Sequence, residues 1–183
     1  MRLFAEFTKF LLAGFGAIVI LLSVAVLIVM PRMRWNATAR PSPAENWIAG
    51  HVLTAWVSMN ASREHNPIPA TPENLRDGQR VYEQHCAVCH GLGGNAQNLL
   101  GGDFYPPVIS LNDGLTGWSD GALFFIVSSG IRMTAMPAFG TKHSAYELWN
   151  VILWIRHLPR LTADERAAIQ ARIENRNVDE LLH

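Results

Sequence analysis

Residues 10–30, FLLAGFGAIVILLSVAVLIVM, run for 21 positions without a charged side chain. As a helix rising ~1.5 Å per residue, the run spans roughly 31 Å, about one hydrocarbon thickness. The core of a small domain needs no stretch so long, so the chain divides into a membrane-length segment and the remainder. Arg2 and Lys9 precede the run, and Pro31, Arg32, Arg34 and Trp35 follow it as an interfacial stop. A cleaved signal peptide is the rival reading, and it asks for a shorter run followed at once by small residues. Val29-Met30-Pro31-Arg32 does not supply them, and Ala37-Thr38-Ala39 lies far downstream. The expectation is an uncleaved single-pass anchor over residues 10–30, in contact with membrane lipid, with residues 1–9 as its flank. Basic residues stand on both sides, so charge alone does not orient it.

Beyond residue 30 the composition is ordinary. The whole chain carries 15 Lys and Arg against 15 Asp and Glu. No basic excess is available to displace counterions, so no nucleic-acid partner is expected. Residues 31–71 hold Pro31, Pro41, Pro43, Pro67 and Pro69, the composition of a linker. Within it, residues 44–62 place Trp47, Ile48, Val52, Ala55, Trp56 and Met59 near helical spacing. This reads as a short amphipathic helix, packed on the following domain or the membrane surface, or offered to a partner subunit.

From Thr71 the helix signals are sharp. Thr71-Pro72-Glu73 supplies a cap, a proline at the first position and an acid in the first turn, opening a helix to about Cys86. A glycine-rich stretch, residues 91–102, follows. Ser119-Asp120 opens a second helix that Gly130 closes. Ser144 and Glu147 form a capping box for a third, running to about Leu158 and stopped by Pro159. Thr162 and Glu165 repeat the device for a tail helix to about Asn175. No strand pattern and no internal repeat stand out, so the fold class is all-α.

Cys86 and Cys89 are the two cysteines of the chain, and with His90 they spell Cys86-Ala87-Val88-Cys89-His90. C-x-x-C-H is the attachment signature of c-type haem. At a helix end, two sulfurs at this spacing sit under the two vinyl groups of one porphyrin, and the next residue directs an imidazole to the iron. A thiol–disulfide pair also uses C-x-x-C, but it leaves His90 unexplained and expects a strand–helix context. A zinc site wants further ligands, and no second cysteine pair exists.

The surrounding residues carry a resemblance. Gly78-Gln-Arg-Val-Tyr82-Glu-Gln-His-Cys86 resembles the first helix of class I monohaem cytochromes c. In that family the glycine lets the last helix cross closely and the aromatic packs on it. Tyr146-Glu-Leu-Trp149-Asn-Val-Ile-Leu-Trp154-Ile155 offers the matching apolar face. The resemblance covers residues 72–160 and implies a class I cytochrome c fold with one covalent haem c, its iron bound by His90. Met136-Pro137-Ala138 resembles the distal methionine loop of bacterial members, which makes Met136 the second axial ligand. Met133 is the local rival. Of the other histidines (His51, His65, His85, His143, His157 and His183), only His143 lies in the right region. Tyr105-Pro106-Pro107 lies where the family places a backbone carbonyl that accepts the His90 Nδ1 proton, with the donor of that carbonyl left open. Trp118, Phe124, Phe125, Ile126 and Phe139 are read as haem-pocket walls or ordinary core.

The resulting division is residues 1–9 cytoplasmic, 10–30 anchor, 31–71 periplasmic linker, 72–160 cytochrome c domain and 161–183 helical tail. The function implied is one-electron transfer by a carrier, not an enzyme. It is anchored in a bacterial inner membrane with its haem in the periplasm and serves redox partner proteins. The alternatives are a haem subunit of a larger membrane dehydrogenase or reductase, and a ligand-binding or peroxidase-like haem with an open sixth position. The chain has only Lys9 and Lys142 as lysines, so no lysine-ringed docking face is present.

Overall fold

A computed structural model describes residues 2–32, 36, 39–96, 104–113, 115 and 117–181. Arg34, Trp35, Ala37, Thr38, the second half of the glycine-rich stretch (97–102) and His183 lie outside the described residues. Helices account for the regular structure, and no strand occurs among the described residues. The chain divides into two units, Met1–Ala39 and Arg40–His183.

The first unit is helix α1, Arg2–Val29, continued by a 3-10 turn over Met30–Arg32. Its segment Lys9–Arg32 has a mean hydropathy of 2.9 and none of it is buried by protein. The segment is long and apolar enough to cross a membrane. Its one hydroxyl, Ser23, donates to the Val19 carbonyl at 2.8 Å and so needs no water.

The second unit is built on two crossing helices. Helix α3, Pro72–His85, starts where the sequence predicts, with the Thr71 hydroxyl accepting from the Asn74 amide. Helix α6, Ala145–His157, opens with the Ser144–Glu147 capping box. They meet at Gly78. A Cβ built there would stand 2.0 Å from the Asn150 carbonyl oxygen, so only glycine permits the approach. Val81 and Tyr82 of α3 bury with Leu148, Val151, Ile152, Trp154 and Ile155 of α6 in one core. Helix α5, Asp120–Ser129, adds Leu123 and Val127 to it. Phe124 stacks on Trp149, ring centres 4.3 Å apart and 19° from parallel.

Helix α2, Pro43–Asn60, begins one residue before the predicted start, because Ser42 and Glu45 form a capping box. The predicted single apolar stripe is divided. Trp56 turns inward against Phe125, with ring centres 4.7 Å apart, and Val57 is fully buried, while Trp47, Ile48, Val52 and Met59 face outward. The chain after α2 is stitched to the core. The Gly121 amide donates to the Glu64 carbonyl at 3.0 Å, and a Cβ on Gly121 would strike the Ser62 carbonyl at 2.3 Å. Asn66 donates from its amide to Asp120 at 3.1 Å and from Nδ2 to the Trp149 carbonyl at 2.8 Å.

A one-turn helix α4, Ala87–His90, follows α3. Helix α7, Ala163–Leu181, runs six residues beyond the predicted end. Leu161 and Ile169 are buried in the core, and Arg172 reaches both carboxylate oxygens of Glu83 at 2.7 and 2.8 Å. Glu165 accepts from the Thr162 amide and meets His157 Nε2 at 2.9 Å, which holds its carboxyl down at about 2.

Two outcomes follow. Gly78→Ala forces the helix pair apart and lowers stability by about 2 kcal/mol or more, read by thermal unfolding in circular dichroism. The Glu165 contribution is complete above its ordinary value of 4.5 and is lost as pH falls through about 2. Over that window, hydrogen exchange in the first turns of α7 rises ahead of exchange in α3 and α6.

Candidate functional site

The Cys86–His90 turn is made by a break and a restart. Cys86 ends α3 with its amide donating to the Tyr82 carbonyl at 2.8 Å, and α4 begins immediately. The amides of Cys89 and His90 both donate back to the Cys86 carbonyl, at 3.1 and 2.8 Å. Gly91, at φ +76°, closes the turn, and the buried Tyr82 hydroxyl donates to the Gly91 carbonyl at 2.7 Å. Tyr82 thereby fixes both the start and the end of the motif.

Cys86 and Cys89 are thiols, not joined as a disulfide. Burial pushes the Cys86 thiol up to about 12, with the neighbouring Cys89 adding to the shift. Thiol–disulfide chemistry runs through the thiolate, and burial disfavours that form at Cys86.

His90 Nδ1 lies 3.2 Å from the Ile109 carbonyl oxygen. With the proton on Nδ1 donated to that carbonyl, the Nε2 lone pair is left for a metal. Burial holds the ring below its ordinary value, against the opposing pull of the Ile109 bond, so the imidazole is neutral at physiological pH. Sequence reasoning located the loop by Tyr105-Pro106-Pro107 but not the carbonyl, which comes from two residues past the second proline. The loop is set by a latch: the Leu111 amide donates to the Gly94 carbonyl at 2.7 Å and Asn112 Nδ2 to the Gly93 carbonyl at 2.9 Å.

The segment 130–138 is folded on itself. Gly130 has φ +65°, and a Cβ there would lie 2.6 Å from the Pro137 carbonyl carbon and 2.8 Å from the Met136 carbonyl oxygen. The Ile131 amide donates to the Met136 carbonyl at 3.2 Å. Thr134 Oγ1 donates to the Ile131 carbonyl at 2.7 Å and accepts from the Met136 amide at 3.1 Å. Met136 is half-buried and packs against the same core cluster as Cys86. Met133, at φ +60°, is 88% exposed and turned to solvent. His143, the other rival, is engaged elsewhere, with His85 at 4.7 Å between ring centres and Glu147 at 3.9 Å. Of the suggested pocket walls, Phe125 faces Trp56, and Phe139 lies beside His85 and His143. A surface cleft of about 460 Å³ is lined by His65, Trp118, Ser119, Asp120, Arg156 and Arg160, none of them a candidate ligand.

Residues 73–155 match the family model described as cytochrome c oxidase, cbb3-type, subunit III. The chain is 29% identical to a cytochrome c6 from Synechococcus, over 56% of this chain and 79% of that protein. It is 25% identical to a thiosulfate dehydrogenase from Stutzerimonas stutzeri, over 67% of this chain and 43% of that protein. It therefore spans less than half the length of the second relative. Among solved structures, a reducing HAO-like protein complex from Kuenenia stuttgartiensis aligns with a TM-score of 0.45 and 23% identity, over 50% of this chain and 46% of that one.

The chain carries a cytochrome c domain. Such domains bind haem c covalently with its iron, one haem being typical of a domain this small. The candidate residues fit that group: two cysteines on one helical turn that form no disulfide, an imidazole oriented through Nδ1, and a half-buried thioether.

Gly130→Ala places a side chain in a left-handed conformation against Pro137 and costs about 1–3 kcal/mol. Faster hydrogen exchange at the Ile131 amide, with α3 and α6 protected as before, is the expected result.

Proposed function

We propose that the chain is a membrane-anchored, periplasmic one-electron carrier. In this reading Cys86 and Cys89 hold the haem as thioethers, and His90 and Met136 are its axial ligands. When bound, the haem supplies an iron that gains and loses one electron. The observation that carries the reading is the His90–Ile109 bond at the end of the Cys86–His90 turn, because it leaves Nε2 as a metal donor of fixed direction. The thioether of Met136 is a soft donor that favours the reduced state and raises the potential. The domain from 72 to 160 has six basic residues (Arg76, Arg80, Arg132, Lys142, Arg156, Arg160) against seven acids (Glu73, Asp77, Glu83, Asp103, Asp113, Asp120, Glu147), near neutral before the propionates are counted. Redox partners would then meet it through apolar contacts more than charge. Haem attachment of this type takes place outside the bacterial cytoplasm in cytochromes c. That puts residues 1–9 in the cytoplasm, 10–30 in the inner membrane and the haem domain in the periplasm.

A second reading is a haem subunit of a larger membrane dehydrogenase or reductase. The alignment with thiosulfate dehydrogenase, which extends over 67% of this chain, favours it. Haem staining of native gels after mild-detergent extraction separates the two. A band at the mass of this chain in its micelle supports the carrier, and co-migration with a large assembly supports the subunit. Rapid binding of carbon monoxide by the reduced wild-type protein would favour an open-site haem instead.

Met136→Ala leaves the haem attached, lowers the potential by on the order of 0.1 V and opens the reduced iron to carbon monoxide. A variant that keeps the wild-type spectrum and stays inert to carbon monoxide removes Met136 from the ligand set. The double variant Cys86→Ala, Cys89→Ala loses haem on denaturing gels, and retention of the stained band there overturns the attachment reading.

A further inference from the structure

Helix α2 is apolar on two opposite faces, and only one is covered. Leu53, Trp56 and Val57 turn toward the domain, with Trp56 on Phe125. The other face shows Trp47 at 64%, Ile48 at 55%, Val52 at 63% and Met59 at 77% exposure. At 100° per residue these four fall on one side of the helix, opposite Leu53 and Val57. Residues 46–62 contain no Asp, Glu, Lys or Arg, and the titratable side chain on that face, His51, turns its ring against Trp47. We infer that this face of α2 lies on the membrane surface and holds the haem domain in one orientation to the bilayer.

Three observations select lipid as the occupant. Residues 33–42 are ten positions between the end of the apolar span at Arg32 and the first residue of α2. Fully extended they reach at most ~35 Å, so the bilayer is the surface this helix meets at the highest effective concentration. Trp47 has the amphipathic ring that favours the headgroup boundary. Residues 31–71 carry Arg32, Arg34, Arg40 and Arg63 against Glu45 and Glu64, a local excess of two positive charges suited to anionic lipid. Glu45 is turned aside, accepting the Tyr105 hydroxyl.

The seat would act on the whole domain, because α2 is not a free arm. The Trp56–Phe125 contact, the Gly121–Glu64 bond and the two Asn66 bonds fasten it and the following segment to α5 and α6. A seated α2 therefore fixes which side of the domain faces the bilayer and limits swinging on the tether.

The inference rests on the reading of residues 10–30 as a membrane anchor, and the test separates the two. Four single variants of the full-length holoprotein carry p-benzoylphenylalanine, in place of Val52, Met59, Leu21 or the exposed Tyr146 of α6. Each is reconstituted in liposomes of phosphatidylethanolamine and phosphatidylglycerol and irradiated. The expected result is a peptide mass shift of one phospholipid at Val52, Met59 and Leu21, and none at Tyr146. Lipid adducts at Leu21 but at neither α2 position overturn the inference and leave the anchor standing. A crosslinked dimer through Val52 or Met59 overturns it in favour of a second copy. No adduct even at Leu21 overturns the anchor, and the surface helix with it.

Discussion

The close approach of α3 and α6 at Gly78 is the contact on which the rest of the domain depends. It brings two backbones together where any side chain would meet the Asn150 carbonyl. Once the helices cross there, Tyr82, one turn further along α3, is driven into the core, and its hydroxyl must find a partner. The partner is the Gly91 carbonyl, at the far end of the Cys86–His90 turn. A packing decision made eight residues before Cys86 thus fixes the frame in which His90 is presented. Phe124 on Trp149, and Arg156 bridging Asp120 with the carbonyls of Leu115 and Trp118, tie α5 and its preceding loop to the same helix pair.

Burial then assigns chemistry to residues that are ambiguous as letters. A C-x-x-C pair is a redox couple when its first thiol is easily ionised and a poor one when it is not. Here the site buries Cys86 and raises its thiol. The same desolvation lowers His90, so both changes favour neutral groups at physiological pH. A neutral imidazole at His90 suits a metal donor, and a protonated thiol at Cys86 suits a thioether precursor. Thiolate chemistry at Cys86 would need the opposite shift.

Much of this was legible in the sequence because the signals are local. The Thr71 cap, the Ser144 box, the Cys86–His90 motif and the Gly78–Tyr82 spacing each act within one or two turns. What escaped is set by loops meeting loops. The choice of the Ile109 carbonyl as acceptor depends on the latch between 93–94 and 111–112, which no spacing rule encodes. The stitching of 62–66 to α5 and α6 is carried by one asparagine and backbone groups, in a stretch whose prolines read only as linker. The division of α2 into two apolar faces was missed because Trp56 and Trp47 look alike as letters, and only the partner Phe125 distinguishes them. Gly130 was read as a helix stop. It is that, and it also lets Met136 and Pro137 fold back over its missing side chain.

For the proposed anchored carrier, the stitched linker changes what the tether does. A flexible arm of forty-one residues, 31–71, would let a haem domain sample a wide volume, with chain entropy setting how often it met a given partner. With residues 43–66 committed to the domain, the span between the apolar helix and the domain shortens to the ten positions 33–42. Encounter then depends less on reach and more on which side of the domain is turned outward. For a near-neutral domain without a lysine ring, orientation is the remaining means of raising productive encounters, since long-range steering by charge is weak. In the proposed carrier, the glycine that admits the Ser62 carbonyl at Gly121 would therefore bear on electron exchange as well as on packing.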